Sequence, residues 1–498
     1  MRPVKRLVTV LVAATTVMPV PAAAAPTGSA QGVRAGLIAP AGTWAQSSEL
    51  TGSDTRWSSA SAGAYGGTSF GGESDFGWSV AVSGGTAVVG APYFSSSLGY
   101  HDEGNEGPYG EATGRAYVFT KGPEGWQQTA ELVASGTAPG DEFGASVAVS
   151  GRTIVVGAPG HGPTVLNQLA GGAGAQSGRA YVFQEGATGW HQAGVLENPG
   201  RTTRRYGYLS GTSVDFGTSV AVSGNTAVVG AYGQAYVFTE GRAGWHYTTE
   251  LVKVPFQTLT CCEAVAVSGG TAVVSNERYG VDPKGAPLAT SDAYYALNQK
   301  GLVRGVAYVF SNGPTGWHQT GELIGPDFTA ADYLGSGPYY GASVAISGST
   351  AAVGAPQFAR VSWANLKLTG KPGGAYVFTR TASGWRQEAQ LANPSPNFGW
   401  SVAVSGNLAV VGAPGPEPSQ TAYTTSGGGT YQPGLPAGVP DTGVAYVFTG
   451  GAGDWHLVAK LLSAGKLKGD NLGNSVAMSG GTVLVGAQCS SHAYVFGG

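Results

Sequence analysis

The chain has 498 residues, enough for one large repeat domain or for several ordinary domains. Glycine accounts for 84 residues and charged side chains for only 11% of the sequence, a composition typical of many tight turns and little helix. The formal net charge of −3 provides no electrostatic attraction toward nucleic acid or an anionic membrane, so we expect neither as a partner.

The N-terminal residues 1–25 have the pattern of a secretory signal peptide. Three basic side chains precede a mostly apolar run at 7–18, and small residues at 21–25 supply a cleavage site. A membrane anchor is the weaker interpretation, because the apolar run is too short to span a bilayer. We therefore expect a secreted, extracellular protein with no membrane insertion, in which residues 26–41 form a short linker.

The remainder of the chain is built from one block that recurs seven times. The first copy reads FGWSVAVSGGTAVVGAP from Phe76, followed after a spacer by GRAYVF, by a Gly-Trp pair and by a closing Glu-Leu pair. The same order begins again at Phe143, Phe216, Cys261, Tyr340, Phe398 and Leu472. A fixed internal repeat means that one supersecondary unit has been copied along the chain.

Each copy predicts four short strands. Val80 and Val82 alternate with small residues, Ser83-Gly84-Gly85-Thr86 is a hairpin turn, and the run at 87–89 is continuously apolar. Residues 116–119 and 126–132 predict the third and fourth strands, and no stretch has the spacing of a confident helix. Four antiparallel strands per unit are typical of the blades of a β-propeller.

The two ends of the chain predict a closed ring. The seventh copy stops at Phe496 and lacks its fourth strand, whereas residues 42–50 match the Gly-Trp…Glu-Leu pattern of that strand. A clasp strand at 42–50 would complete the last blade and remove the free edges of an open array. We therefore expect an all-β, seven-bladed propeller of four-stranded antiparallel blades over residues 42–498, with a connector at 51–74 and repeats from residue 75.

The pairing of Phe-Gly with Gly-Ala-Pro resembles the FG-GAP repeat of integrin α-subunit propellers and their bacterial relatives. Phe-Gly stands intact at 76–77, 143–144, 216–217 and 398–399, and Gly-Ala-Pro at 90–92, 157–159, 354–356 and 412–414. The resemblance covers residues 42–498 and implies the same seven-bladed fold. It says little about function, because such propellers serve adhesion, carbohydrate binding and as companions to enzymes.

The calcium loops of the integrin-type repeat are not expected in this chain. Calcium needs about six to eight oxygen ligands, several of them from carboxylates. The first turn of each copy instead has a Ser-Gly pattern without an acid, as in Ser83-Gly84-Gly85-Thr86 and Ser223-Gly224-Asn225-Thr226. We therefore expect no metal and no cofactor at the repeat turns. Calcium binding elsewhere stays open.

Candidate binding residues lie in the connections that vary in length. Large insertions run through about 93–113, 160–177, 278–304, 357–372 and 415–442, all on the face that holds the second-to-third and blade-to-blade loops. They contain aromatic and polar side chains suited to a glycan or a protein partner: Tyr100, His101, Asp102, Tyr294, Tyr295, Trp363 and Tyr431. Packing of these aromatics onto the propeller rim is the alternative.

Three cysteines are an odd number for an exported protein. Cys261 and Cys262 are adjacent and could form a vicinal disulfide, or one of them could pair with Cys489. Buried or partly exposed thiols are an equally good interpretation, so the pairing stays open.

The function favoured by these patterns is a secreted, monomeric binding or adhesion module that recognises a glycan or an extracellular protein through the long-loop face. No catalytic residue is assigned, because the Gly-x-Ser-x-Gly pattern at 67–71 lies in a connector with no helix after it. The alternatives are a polysaccharide-active enzyme with its site at the mouth of the central channel and a structural surface protein. The question of enzymatic activity therefore stays open.

Overall fold

The structure is a computed structural model that describes the repeats and leaves out most of their connections. The described residues are 11–12, 44–53, 75–93, 113–138, 140–160, 178–199, 215–231, 234–253, 264–281, 304–325, 339–356, 360–362, 367–369, 373–395, 397–415, 423–424, 430–431, 443–451, 453–464 and 470–498.

The described residues form seven four-stranded antiparallel sheets, which are the blades of a β-propeller. Blades 1 and 2 consist of Ser79–Ser83, Thr86–Ala91, Arg115–Gly122 and Gly125–Leu132, and of Ser146–Ser150, Thr153–Ala158, Arg179–Gly186 and Gly189–Glu197. Blades 3 and 4 consist of Ser219–Ser223, Thr226–Ala231, Gln234–Gly241 and Gly244–Lys253, and of Ala264–Ser268, Thr271–Val281, Arg304–Gly313 and Gly316–Ile324.

Blades 5 and 6 consist of Ser343–Ser347, Thr350–Ala355, Gly374–Thr381 and Gly384–Ala392, and of Ser401–Ser405, Leu408–Ala413, Val444–Thr449 and His456–Leu461. Blade 7 consists of Ser475–Ser479, Thr482–Ala487, His492–Gly497 and Ala45–Leu50. The first strand of each blade contacts the first strands of its two neighbours, so these strands line the central channel. The predicted all-β, seven-bladed architecture is confirmed.

Short strands outside the blades complete the described secondary structure. Leu11–Val12 lies parallel to the first strand of blade 5. Arg360–Ser362 pairs with Lys367–Thr369, and Tyr423–Thr424 pairs with Thr430–Tyr431, within the insertions of blades 5 and 6.

The N-terminal clasp strand closes the ring as the sequence predicts. Ala45–Leu50 pairs antiparallel with His492–Gly497, the third strand of blade 7. Leu50 is only 2% exposed and packs into the core that blade 7 shares with blades 1 and 6. Glu49 Oε1 lies 3.0 Å from His492 Nε2, which adds a polar contact across the same pair of strands. Because these strands come from opposite ends of the chain, closure depends on both.

The core lies between the blades. Ala81 and Val88 of blade 1 share a buried cluster with Val147 and Val149 of blade 2. The alternation of valine with alanine or serine in the first strand suggests one buried face, but all five residues of Ser79–Ser83 are buried. Each blade has a neighbour on both sides, and the small residues fit where the blades approach most closely near the axis.

The phenylalanine of Phe-Gly is buried at the start of blades 1, 2, 3 and 6. Phe76 is fully buried and contacts Phe119 edge to face, with ring centroids 6.1 Å apart, and Tyr117 at 5.3 Å. The same three-ring arrangement recurs around Phe143, Phe216 and Phe398. Each aromatic pair adds about 0.5–1.5 kcal/mol beyond the area it buries, which explains why this position is apolar in the repeat.

The two glycines of the repeat meet at the blade interface. The N–H of Gly77 donates to the Gly90 carbonyl within blade 1, and the hydroxyl of Ser79 donates to the Gly144 carbonyl of blade 2 at 2.8 Å. A Cβ at Gly90 would overlap both the Gly144 carbonyl and the Ser79 hydroxyl. Phe-Gly and Gly-Ala-Pro therefore occur together because their backbones form one contact between neighbouring blades.

Blade 4 keeps this contact with a different residue. The other blades have a serine in the first strand, paired with a glycine in the second strand, as Ser79 is with Gly90. In blade 4 the same pair is Ala264 and Ser275. The Ser275 hydroxyl donates to the Gly341 carbonyl of blade 5 at 2.8 Å. The hydroxyl has thus moved from the first strand to the second, while its acceptor in the next blade is the same.

Deletion of residues 42–50 is expected to give an aggregating protein, because it exposes the edge of His492–Gly497. The point substitution Leu50→Ala is expected to lower the free energy of unfolding by about 2–5 kcal/mol. Leu457→Ala, at a leucine that is 46% exposed, is the matched control and should change stability little. Chemical denaturation measures both, and a deletion variant as stable as the parent would contradict the closed ring.

Ser275→Gly is expected to cost about 1–3 kcal/mol, because it leaves the buried Gly341 carbonyl without its donor. Adding Ala264→Ser to this variant restores the arrangement of the other blades and should recover most of the loss. Ala264→Ser alone should destabilise, since two side chains would compete for one space. A double-mutant cycle in denaturant tests the coupling, and additive effects would contradict it.

Candidate functional site

The strand order separates two faces of the propeller. In blade 1, Ser83 pairs with Thr86 and Gly122 with Gly125, so two-residue turns join the first to the second strand and the third to the fourth. In blade 6 the third-to-fourth connection is longer, at 450–455. We call this side the short-turn face. The second-to-third and blade-to-blade connections lie on the opposite side, the long-loop face, and carry the length variation of the repeat.

A ring of hydrogen bonds ties the short-turn face together. In every blade the N–H of the turn glycine donates to the serine hydroxyl that ends the first strand of the preceding blade. The bonds are Gly84 to Ser479, Gly151 to Ser83, Gly224 to Ser150, Gly269 to Ser223, Gly348 to Ser268, Gly406 to Ser347 and Gly480 to Ser405, at 2.9–3.4 Å. The Ser-Gly turns therefore serve as links between blades.

The binding residues expected from the sequence fall almost wholly outside the described residues. Tyr100, His101, Asp102, Tyr294, Tyr295 and Trp363 lie there. Tyr431 is in the short strand Thr430–Tyr431, whose partner is Tyr423–Thr424 on the long-loop side of blade 6. Their role in binding stays a prediction.

Cys261 and Cys262 also lie outside the described residues, and Cys489 lies half-buried in the turn Gln488–Ser490, so the pairing of the three cysteines is untested.

Two tryptophans that the sequence analysis did not single out stand at the channel mouth. Trp78 and Trp400 follow Phe-Gly directly and precede the innermost strands of blades 1 and 6, on the long-loop face. Both are half-buried. The signal in the sequence is their position, because the other described blades have Ala145, Thr218, Ala342 or Asn474 at the same place.

Neighbouring residues hold Trp78 in place. Its ring meets Tyr93 edge to face, with centroids 5.4 Å apart. Asn474, in the equivalent position of blade 7, donates from Nδ2 to the Trp78 carbonyl at 3.0 Å. The indole Nε1 of Trp78 is buried and has no hydrogen-bond partner in the part of the chain that the structure describes. The hydrogen bond from Asn474 therefore joins the backbone of Trp78 to blade 7.

The second-to-third connection of blade 7 is a tight turn at Gln488–Ser490. Within and beside it, Gln488 Oε1, Ser491 Oγ and His492 Nδ1 are buried without a hydrogen-bond partner among the described residues. Gln488 and Ser491 are 9% and 4% exposed. Buried polar atoms are normally satisfied by protein or by a bound molecule, so three such atoms in five residues mark this turn.

Ionisable groups beside this turn are already engaged. Asp470 is buried, and its carboxylate accepts hydrogen bonds from the Ser463 hydroxyl and the Leu472 N–H. Burial raises the pKa of Asp470, and these hydrogen bonds partly oppose that shift. His492 pairs with Glu49 and stacks on Tyr494. Among the described residues, no group of three His, Cys, Asp or Glu side chains is arranged to hold a metal ion.

The seven tryptophans that recur in the fourth strand serve packing. They are partly buried against the hydrophobic cores between the blades: Trp44, Trp126, Trp190, Trp245, Trp317, Trp385 and Trp455. Trp78 and Trp400 are thus distinct from them in both position and surroundings.

Comparison with known families matches the repeat in four stretches. The model of the FG-GAP repeat covers residues 126–183, 211–247, 385–425 and 455–496. The chain contains FG-GAP repeats. Three of these matches begin at the tryptophan of a fourth strand and continue into the next blade. The family unit therefore combines the fourth strand of one blade with the first three strands of the next, and the clasp strand has the same offset.

The structural neighbours of this FG-GAP protein are distant. Sqt1 of Saccharomyces cerevisiae is 11% identical with a TM-score of 0.40, over 86% of this chain and 97% of its own. A functionally unknown protein from Desulfotomaculum acetoxidans DSM 771 is 10% identical with a TM-score of 0.37, over 76% and 81%. None of the curated proteins compared with the chain matches it.

The described residues include no helix that is long and apolar enough to cross a membrane.

The residue before Phe-Gly has a left-handed backbone. Asp75, Glu142, Asp215, Asn397 and Asn471 all have φ between 44° and 59°, and the carbonyl of each accepts a hydrogen bond from the residue three positions later. Asp and Asn adopt this conformation more readily than other side chains. These five residues therefore form turns, and their backbone carbonyls make the turn hydrogen bonds.

Asp75→Asn is expected to change the pH dependence of stability. Burial raises the pKa of Asp75 to about 7. The ordinary pKa of Asp in an unfolded chain is about 4, so the folded protein holds this proton more tightly than the unfolded chain does. The free energy of unfolding therefore falls as pH rises from about 4 to 7. Asn, which blades 6 and 7 have at this position, cannot ionise.

The variant should therefore match the parent at about pH 4 and exceed its free energy of unfolding by more than about 1 kcal/mol at pH 8. Denaturation across this pH range is the measurement, and Asn471→Ala, which removes a neutral residue at the equivalent position, is the control. Parallel pH curves for the parent and Asp75→Asn would contradict the assignment.

Proposed function

We propose that this FG-GAP protein is a secreted binding module that recognises a glycan or an extracellular protein through the long-loop face. The observation that carries the proposal is the difference between the two faces. On one face, the two-residue first-to-second turns are tied into a ring by serine–glycine hydrogen bonds, and the longest third-to-fourth connection is 450–455 of blade 6. The other face receives the large insertions of the repeat. Binding residues are commonly found on variable loops that a rigid scaffold holds in position.

Secretion is supported by the signal-peptide pattern of residues 1–25 and by the FG-GAP repeats, which are typical of extracellular proteins. We propose further that binding does not depend on calcium at the repeat turns. The hydroxyl of Ser83 there accepts the N–H of Gly151, and the turn supplies no carboxylate ligand.

The second-to-third connections can be tested by trimming. In blade 3 only Tyr232 and Gly233 lie between Ala231 and Gln234, which pair in the same register as Ala158 and Arg179 of blade 2. Replacing residues 159–178 by Tyr-Gly should therefore leave the blade intact and shift its melting temperature by only a few degrees. Equivalent trims apply to blades 1, 5 and 6, which pair in the same register.

The parent and the trimmed variants would be screened against immobilised glycans and extracellular proteins, with the same mixtures examined for cleavage products. We expect the parent to bind and at least one trim to abolish binding. Glu124→Ala, an exposed change on the short-turn face, is the control and should bind as the parent does. Unchanged binding in all trims would contradict the long-loop face as the binding surface, and cleavage products would favour the enzyme alternative.

A further inference from the structure

The clasp strand differs from the other fourth strands in how it is attached to its blade. In blades 1 to 5 the fourth strand follows the third after a two-residue turn, as Gly125 follows Gly122 in blade 1. In blade 7, by contrast, Ser47 of the clasp donates to the carbonyl of Val495 across 448 positions of the sequence. Noncovalent contacts alone therefore hold the clasp on its neighbouring strand, and the covalent path between the two runs through the other six blades.

The contacts that hold the clasp are specific. The Trp44 ring packs on Gly498 so closely that a Cβ there would overlap it, and Leu50 packs into the core that blade 7 shares with its neighbours. Between them, Gln46 Oε1 accepts the N–H of Ala464 at 2.9 Å, from the connection that leads into blade 7. None of these contacts requires that the clasp and the blade belong to the same molecule.

The clasp lies on the outer rim of the propeller. Ala45, Ser47 and Glu49 are exposed, and Leu50 is the one fully buried residue of the strand. The strand is at the end of its sheet, so among the described residues no further strand covers its outer edge. A clasp from another molecule therefore reaches this position directly from solvent.

The connection from the clasp to blade 1 is longer than the crossing between blades requires. From Leu391 at the end of blade 5 to Phe398 at the start of blade 6, six residues suffice. The same crossing from Leu50 to Phe76 takes 25 residues, the longest of the seven. A fully extended chain of this length spans about 80 Å, enough to reach a second molecule while blade 1 stays in place.

The length of the connection also weakens the advantage of closing within one molecule. The closed and the exchanged forms have the same strand contacts, so the effective concentration of the clasp at its own blade sets their balance. This concentration is on the order of millimolar for short connections and falls roughly as the 3/2 power of their length. With 25 residues in place of six, it is lower by roughly tenfold.

We propose that blade 7 is a strand-acceptor site for the clasp of a second copy of this chain, so that two copies exchange Ala45–Leu50 and form a dimer at high local concentration. The partner is a second copy because the other fourth strands with the same Trp-x-Gln pattern are tied into their own blades. Exchange of identical elements makes a dimer without new contacts, and the expected monomer is the closed form. This inference goes beyond the proposed function and does not depend on it.

Two cysteine variants of the mature chain test the exchange. Ala45 and Gly497 are partners in the strand ladder, and a Cβ at Gly497 meets nothing within 4 Å, so cysteine fits at both positions. Chains with Ala45→Cys alone are mixed with chains with Gly497→Cys alone, at about 1 µM and at about 0.5 mM. The mixtures are warmed to just below the melting temperature and then oxidised.

A disulfide between positions 45 and 497 joins the two chains when the clasp of one lies in blade 7 of the other. We expect this disulfide at the higher concentration, identified by mass spectrometry of the linked peptides, together with a dimer in light scattering. Glu124→Cys, at an exposed position on the short-turn face, replaces Gly497→Cys in the control mixture and measures disulfides formed by random collision.

The length of the connection provides the second test. A variant in which residues 392–397 replace residues 51–75 makes the crossing as blade 5 does, and it should need a concentration roughly tenfold higher to dimerise. A second variant covers the case in which the shortened chain does not fold. Inserting a Gly-Ser segment that doubles the connection should lower the midpoint of dimerisation by about threefold.

The proposal is overturned when the disulfide between positions 45 and 497 is no more abundant than in the collision control at both concentrations. A midpoint that does not change with the length of the connection overturns it as well. A dimer without this disulfide has the same consequence, because another interface then joins the copies. These measurements contain no ligand, so the proposed function is decided separately by the trimming experiment.

Discussion

The fold depends on the contact between neighbouring blades at the glycines of the repeat. There the carbonyl of one Phe-Gly glycine lies against the Gly-Ala-Pro glycine of the preceding blade, and a serine hydroxyl bridges the two. Beside the serine no second side chain fits at this point, and the bridging hydroxyl satisfies a buried carbonyl. Blade 4 shows how strict the requirement is, because it exchanges both residues and still places a hydroxyl on the same acceptor.

This contact also explains why the two faces can differ so much. The interfaces near the axis, the serine–glycine ring and the clasp strand join the seven blades of the described chain to one another. The second-to-third connections are therefore free to vary in length, from two residues in blade 3 to the large insertions of other blades. A scaffold of this kind separates stability from recognition.

Blade 7 is where the two ends of the chain meet. Its fourth strand comes from the start of the chain, and its short turn leaves Gln488 and Ser491 beside the Trp78 strand of blade 1. The Glu49–His492 pair belongs to the clasp and also borders the turn.

The sequence by itself determined the blades, their number and the clasp. These follow from local patterns, namely alternating apolar residues, Ser-Gly turns and an internal repeat, which do not depend on distant residues. It also located the long connections, but it could not show which aromatic residues share a surface.

Only the tertiary structure decided which residues act together across blades. The bond from Val80 to Ser475 joins positions 395 residues apart, and nothing near either residue in the sequence indicates it. In the sequence, Trp78 and Trp400 each have the local pattern of one more apolar residue before a strand. The ring places them on either side of Asn474, since closure brings the first blade next to the last.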